Sequence, residues 1–230
     1  MGVNSVITGD LVKSRKIKDA DIANVINSLK DTFNEINHQL LNGKGAFEIF
    51  RGDSFQGLIP KPDQALLVAI ILRAHLRTYE PSGVMTGRNK PGKPLLFAYS
   101  DARIAIGIGT VSYNADRITE SQGEAFQNSG IAFEAISKEN KCLVILTPWE
   151  KINSELEVEF QLADALISRW TASTAEAIYH HLLYGKNQKE LAAQLKISQP
   201  GVHNRLVKYG NINSIHAFIN RYHDLIIKAK

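Results

Sequence analysis

The sequence predicts an α+β chain: an α/β domain over residues 1–150, a connecting helix over 151–170 and an all-helical domain over 171–230. Three observations predict it. Strand and helix patterns alternate through the first part, and beyond it apolar residues recur only at helical spacing. The charge also divides: from Thr171 onward eight basic residues meet three acids, while the rest of the chain carries 19 basic residues and 20 acids. A surplus confined to one segment is the footprint of a part that meets a polyanion.

The elements follow in order. Val3 to Thr8 is a short strand ending at Gly9-Asp10. Ile22 to Leu41 is a helix, with Ile22, Ile26, Leu29, Phe33, Ile36 and Leu40 on one stripe and Asn42-Gly43 as its stop. Ala46–Phe50 and Ser54–Ile59 flank Arg51-Gly52-Asp53 and form a hairpin with a tight turn. Pro62 opens a helix reaching about Tyr79. Glu80 to Ser100 reads as a long loop, then Asp101 to Gly109 is a strand, Gln122 to Ser137 a helix, and Lys141 to Leu146 a strand. This order builds an antiparallel-centred sheet with helices on one face.

The tail reads as three short helices and a longer one. Ala175 to Tyr184 ends at Gly185, Asn187 caps Gln188–Leu195, and Ser198 caps a third helix with Pro200 in its first turn. Leu191, Leu195, Ile197 and Val202 take the inward positions of a helix-turn-helix, with Ala192 where the helices cross closely. The segment Lys189 to Leu206 resembles bacterial regulators and the DNA-reading regions of sigma factors. That geometry sets the second helix of the pair in the major groove of double-stranded DNA, presenting Gln199, His203, Asn204, Arg205 and Lys208. Gln and Asn suit adenine edges, and the cations suit phosphates. The competing reading is a small helical bundle that contacts protein. Ile215 to Lys228 is amphipathic and suits either packing on this unit or pairing two copies as a homodimer.

Other features narrow the field. The longest apolar stretch, Ala65 to Leu72, is too short to span a bilayer, and no export signal precedes the first strand, so a cytoplasmic protein without a membrane partner is expected. A single cysteine, Cys142, excludes internal disulfides and multi-cysteine zinc sites. Gly107-Ile-Gly109 sits inside an apolar strand and is no dinucleotide fingerprint. The tail histidines His180, His181, His203, His216 and His223 lack partners at metal spacing and read as helix-surface residues.

Two carboxylates fall where chemistry is performed. Asp10 ends the first strand and Asp53 tips the hairpin; if those strands are neighbours, hard oxygen ligands converge that suit Mg²⁺ or Mn²⁺ on a nucleotide. Gly-Asp is also ordinary turn chemistry, so spacing alone leaves both roles open.

Val6 to Arg15, Arg51 to Gly57 and Arg103 to Thr110 together resemble the SatD family of bacterial proteins, whose domains are similar to the palm of class III nucleotide cyclases and diguanylate cyclases. The resemblance implies a ferredoxin-like, nucleotidyl-cyclase-like palm with metal on Asp10 and Asp53. It also implies a nucleotide against Gly9, Leu11, Lys13, Arg15 and Gln127, the backbone around Leu11-Val12 facing the phosphates. Gln127 stands at the position of a ribose-contacting Asn, and Ile131 where those enzymes carry a transition-state Arg. An apolar side chain cannot stabilise developing phosphoryl charge. The resemblance therefore favours a nucleotide-binding sensor controlling a DNA-binding regulator. The alternatives are a metal-dependent nucleotidyl cyclase or transferase localised by its tail, and a ligand-free scaffold.

Overall fold

The computed structural model describes residues 2–12, 14, 19–50, 52–79, 100–112 and 117–229, leaving the expected loop after Tyr79, with Arg88, Lys90 and Lys93, outside the described residues. The elements are β1 (Val3–Leu11), α1 (Asp19–Gln39), β2 (Ala46–Phe50), β3 (Ser54–Ile59), α2 (Ala65–Arg77), β4 (Ala102–Thr110), α3 (Glu124–Glu139), β5 (Leu143–Leu146), α4 (Glu150–Ile167), α5 (Ala172–Tyr184), α6 (Gln188–Leu195), α7 (Gln199–His203) and α8 (Ile212–Ala229). A 3₁₀ turn, Pro62–Gln64, leads into α2, and a π-helical turn, Asn204–Tyr209, continues α7.

The five strands pair in the order β2-β3-β1-β4-β5, antiparallel except for the parallel β4–β5 pair. Successive side chains of a strand point to opposite faces, so β1, β3, β4 and β5 each serve two cores. Ile7, Leu11, Phe55, Ile59, Ile104 and Ile106 belong to the cluster that includes α1 and α2. Val6 and Leu58 pack with Ala125, and Ala105 packs with Ala132 and Ile136, all on α3. The expectation of helices on one face is thus corrected: α3 covers the other. Both faces of β4 are apolar, and period 2 cannot say how many helices use them. Gly107 makes the approach of α3 close, because a Cβ there would lie 2.1 Å from the Ser129 amide nitrogen and 2.3 Å from the Ala125 carbonyl oxygen.

A second difference is the end of β1. Asp10 pairs with both β3 and β4 and Leu11 with β4, so the strand runs through Gly9-Asp10 rather than stopping there.

Helix α2 is apolar on nearly every side and is buried accordingly. It packs on α1, β4 and α5, and one continuous cluster of buried side chains runs from Ile7 in β1 to Ile226 in α8. Polar bonds pin the tail to this body. The Tyr179 and Tyr184 hydroxyls both donate to Glu35 at 2.6 Å, and the Tyr222 hydroxyl donates to the Pro62 carbonyl at 2.7 Å. No described helix is long and apolar enough to cross a membrane.

Candidate functional site

The carboxylate edge is built by strand register. Asp10 on β1 lies opposite Ser54 at the start of β3, one residue from Asp53, and the Leu11 amide donates to the Asp53 carbonyl at 3.1 Å. The backbone of Asp10 therefore lies next to that of Asp53 across the β1–β3 pair. Thr8 hydrogen-bonds Ser129 of α3, and strand alternation sets Asp10 on that same face.

Sequence reasoning missed the partner that stands there. Arg103 on β4 is the cross-strand partner of Asp10, donating from Nε to Oδ1 at 2.8 Å and from its terminal nitrogen to Oδ2, with its guanidinium 6.0 Å from the Phe133 ring centre. The hydrogen bond with Asp10 raises the Arg103 pKa first, and the charges of Asp10 and Asp53 add to it. Asp53 accepts from the Ser14 hydroxyl through Oδ2 and, at 3.5 Å, from Ser54 through Oδ1. Two carboxylates on adjacent strands are the right donor type for a hard divalent cation, but Arg103 already occupies both oxygens of Asp10. Among the described residues no group of three or more His, Cys, Asp or Glu side chains could hold a metal.

The other expected nucleotide contacts divide. Gly9 is demanded by packing, since a Cβ would fall 2.4 Å from the Phe55 ring. Leu11 is buried, its amide is used by Asp53, and the Val12 amide donates to the Asp101 carbonyl at 2.8 Å, so neither is free to hold a phosphate. Gln127 is exposed on the side of α3 away from Ala125 and Ser129 and is not brought to the carboxylates; Phe133, well over a turn later, is the α3 residue beside Arg103. Ile131 is 59% exposed and faces outward as well. Lys13 and Arg15 lie outside the described residues.

Directly behind this edge is a buried ionic network. Arg73, fully buried on α2, donates to both oxygens of Asp101, to Asp164 on α4 at 2.7 Å, and to the Ser168 hydroxyl. Arg77 adds bonds to Asp101 and to the Ser168 and Trp170 carbonyls. Burial alone would raise the Asp101 carboxyl, but the charge and hydrogen bonds of Arg73, with Arg77 and the Ala102 amide, hold it below its ordinary value. The available signal was two arginines following an apolar helical run, since a charge there needs a partner. Cys142 is partly buried, and burial pushes its thiol up to about 11, in keeping with an inert thiol.

In the tail, α6 opens with a reciprocal cap: Asn187 accepts from the Lys189 and Glu190 amides while Glu190 accepts from the Asn187 amide. Lys196, at φ 53°, turns the chain, and Ser198 caps α7 by accepting from the Gly201 amide at 3.2 Å. Leu191, Val202 and Leu206 are buried. Gln199, His203, Asn204 and Lys208 are exposed along α7 and its continuation; Arg205 is half-buried and pairs with Glu176 at 3.3 Å. Arg169, Thr171 and Ser173 join Asn204, Arg205 and Lys208 around an open cleft of about 590 Å³ beside this face.

No protein-family model and no curated protein matches the chain. Among solved structures, a bacterial light-regulated adenylyl cyclase aligns over 63% of this chain and 75% of its own, at 12% identity and a TM-score of 0.39. A guanylyl cyclase aligns over 63% of this chain and 77% of its own, at 16% identity and a TM-score of 0.38. The chain itself is a mixed α+β protein with a five-stranded sheet and a helical carboxy-terminal part.

Proposed function

We propose that this chain is a DNA-binding regulator whose helix-turn-helix, α6 and α7, reads double-stranded DNA. One observation carries the reading: the outer face of α7 and its continuation holds Gln199, His203, Asn204 and Lys208 exposed, on the segment that carries the chain's positive surplus. Side chains of these types at the start of such a helix serve base edges and phosphates together. A gel-shift titration against a pool of duplexes tests it. Lys208→Glu should weaken binding to every duplex and flatten the salt dependence, whereas Asn204→Ala should relax sequence preference at a cost of about 1–3 kcal/mol. Unchanged binding in both variants would sink the reading.

The amino-terminal part, on this proposal, is a ferredoxin-like palm that binds a nucleotide with Mg²⁺ or Mn²⁺ at Asp10 and Asp53 and biases the tail. Support comes from the register that sets Asp53 one residue from the cross-strand partner of Asp10, and from the SatD-like motifs around them. The second reading is a nucleotidyl cyclase or transferase. Binding is favoured over turnover because Ile131 supplies no cation and the nearest described one, Arg103, is committed to Asp10. Calorimetry with ATP or GTP and Mn²⁺ tests binding, with Asp53→Ala as the control that must lose it. Chromatography of the same mixtures tests turnover, and a product lost in Asp10→Ala would move the protein to the enzyme reading.

A further inference from the structure

From the outer face of α4 we infer a docking surface for a second copy of this chain. Large hydrophobic side chains are exposed at only five described positions, and two of them, Val158 and Leu162, are one turn apart on α4 at 62% each. Ala165, also exposed, continues the stripe at helical spacing. Beside it runs a groove between α4 and α8 of about 580 Å³, floored by Leu166, Ala217 and Phe218. One surface thus carries both a protruding apolar stripe and an apolar groove that receives such a stripe. That is the self-complementarity a two-fold interface requires, because each copy must offer both halves.

Charge selects the orientation. The first ten residues of α4 hold Glu150, Glu155, Glu157 and Glu159 against Lys151 alone, while Arg169 stands exposed just past the helix end. Two α4 helices side by side and parallel would align acid with acid. Antiparallel pairing brings Arg169 of each copy to the acidic half of the other, with Leu162 near the axis. Arg221 already pairs with Glu155 and Glu159 within the chain, which leaves Glu150 and Glu157; with Leu162 near the axis, Glu157 is the closer of the two in sequence register to the second copy's Arg169.

The eighteen residues of α4 extend about 27 Å, which with the flank of α8 gives on the order of 500 Å² per copy, below a standard stable interface. The dimer is accordingly concentration-dependent. Of the apolar stripe of α8, only the edge at Ile215 and Phe218 lines the groove, and Tyr222 and Ile226 are buried within the chain. The dimer does not rest on DNA binding, and it stands if the tail reads no duplex.

Sedimentation of the full chain over a rising concentration series tests the surface. The wild type should pass from one-chain to two-chain mass. Leu162→Glu should stay at one-chain mass with an unchanged melting temperature, since the side chain is exposed. Arg169→Glu should weaken association, and adding Glu157→Lys should restore it. In a Cys142→Ser background, Leu162→Cys should form a disulfide-linked dimer under mild oxidation, and Ile131→Cys should not. A wild type that keeps one-chain mass throughout, or a Leu162→Glu variant that associates like the wild type, would overturn the proposal.

Discussion

Replacing Arg73 by methionine keeps the apolar stem and removes only the guanidinium. Four hydrogen bonds disappear, two to Asp101, one to Asp164 and one to Ser168. Asp101 and Asp164 are left at 9% and 13% side-chain exposure, too little for water to take over. Asp101 keeps Arg77 and the Ala102 amide; Asp164 keeps the Cys142 amide and the Ser168 hydroxyl. Breaking a buried pair from one side costs about 3–5 kcal/mol. At this chain length that lowers the melting temperature by roughly 6–20 °C. Arg73→Lys should recover little, because a single ammonium cannot reach both carboxylates in forked geometry. The acid limb gives a second readout. A carboxyl held below its ordinary value contributes stability above the unfolded pKa of about 3.9 and loses it as pH falls through the folded value. Arg73→Met raises the Asp101 carboxyl, so the variant's relative loss should shrink in acid. Guanidinium titrations at pH 7 and pH 4 measure both effects. A loss below about 1 kcal/mol at pH 7 would refute the reasoning, since solvated pairs are worth that little.

Three further outcomes are expected. Arg103→Gln frees both oxygens of Asp10 and should tighten Mn²⁺ binding five- to tenfold in calorimetry, the equivalent of about 1 kcal/mol of lost competition from a part-exposed pair; no tightening would mean that the carboxylates are not a metal site. Gly107→Ala drives a methyl into the backbone of α3 and should cost about 1–3 kcal/mol or more by urea titration, whereas Gly130→Ala on the same helix meets open space and should be neutral or stabilising. Burial pushes the His75 imidazole down to about 4, against about 6.5 in the unfolded chain, so between those values the unfolded state binds a proton that the folded state refuses. Stability should fall as pH drops through that window, by up to about 3 kcal/mol, and His75→Gln should reduce the fall.

The element order was legible because its signals are local. The hairpin around Gly52, at φ 82°, spans the residues the sequence marked, and the Gly185, Asn187 and Ser198 punctuation of the tail sits where capping chemistry required. What was not legible depends on which distant residues the sheet brings together. Asp10 meets Arg103 only because β1 and β4 are neighbours, and Arg73 meets Asp101 and Asp164 across three elements. The same holds for His181 and His216, read as separate surface residues, whose Nε2 atoms lie 3.0 Å apart between α5 and α8. Spacing along the chain carries no information about such pairs. The extent of β1 was missed for a related reason: a strand paired on both sides continues through Gly9-Asp10, where local propensity alone ends it.

The ionic network also constrains how a ligand at the carboxylate edge could influence α7. The Asp101 carbonyl holds the Val12 amide, the Asp101 carboxylate holds Arg73 and Arg77, and these grip Asp164, Ser168 and the Trp170 carbonyl. The Trp170 indole in turn donates to the Gly210 carbonyl, just past the continuation of α7. Contact therefore runs from the end of β1 to the end of the proposed reading helix. A swing of the tail as a rigid body would have to open this buried network, at about 3–5 kcal/mol for each pair broken. Coupling between sites is commonly about 1–3 kcal/mol, too little to support that motion. If the proposed nucleotide regulates the proposed reading helix, it must then act through small shifts of packed helices or through occupancy of the proposed docking surface on α4, and not through separation of the sheet from the tail.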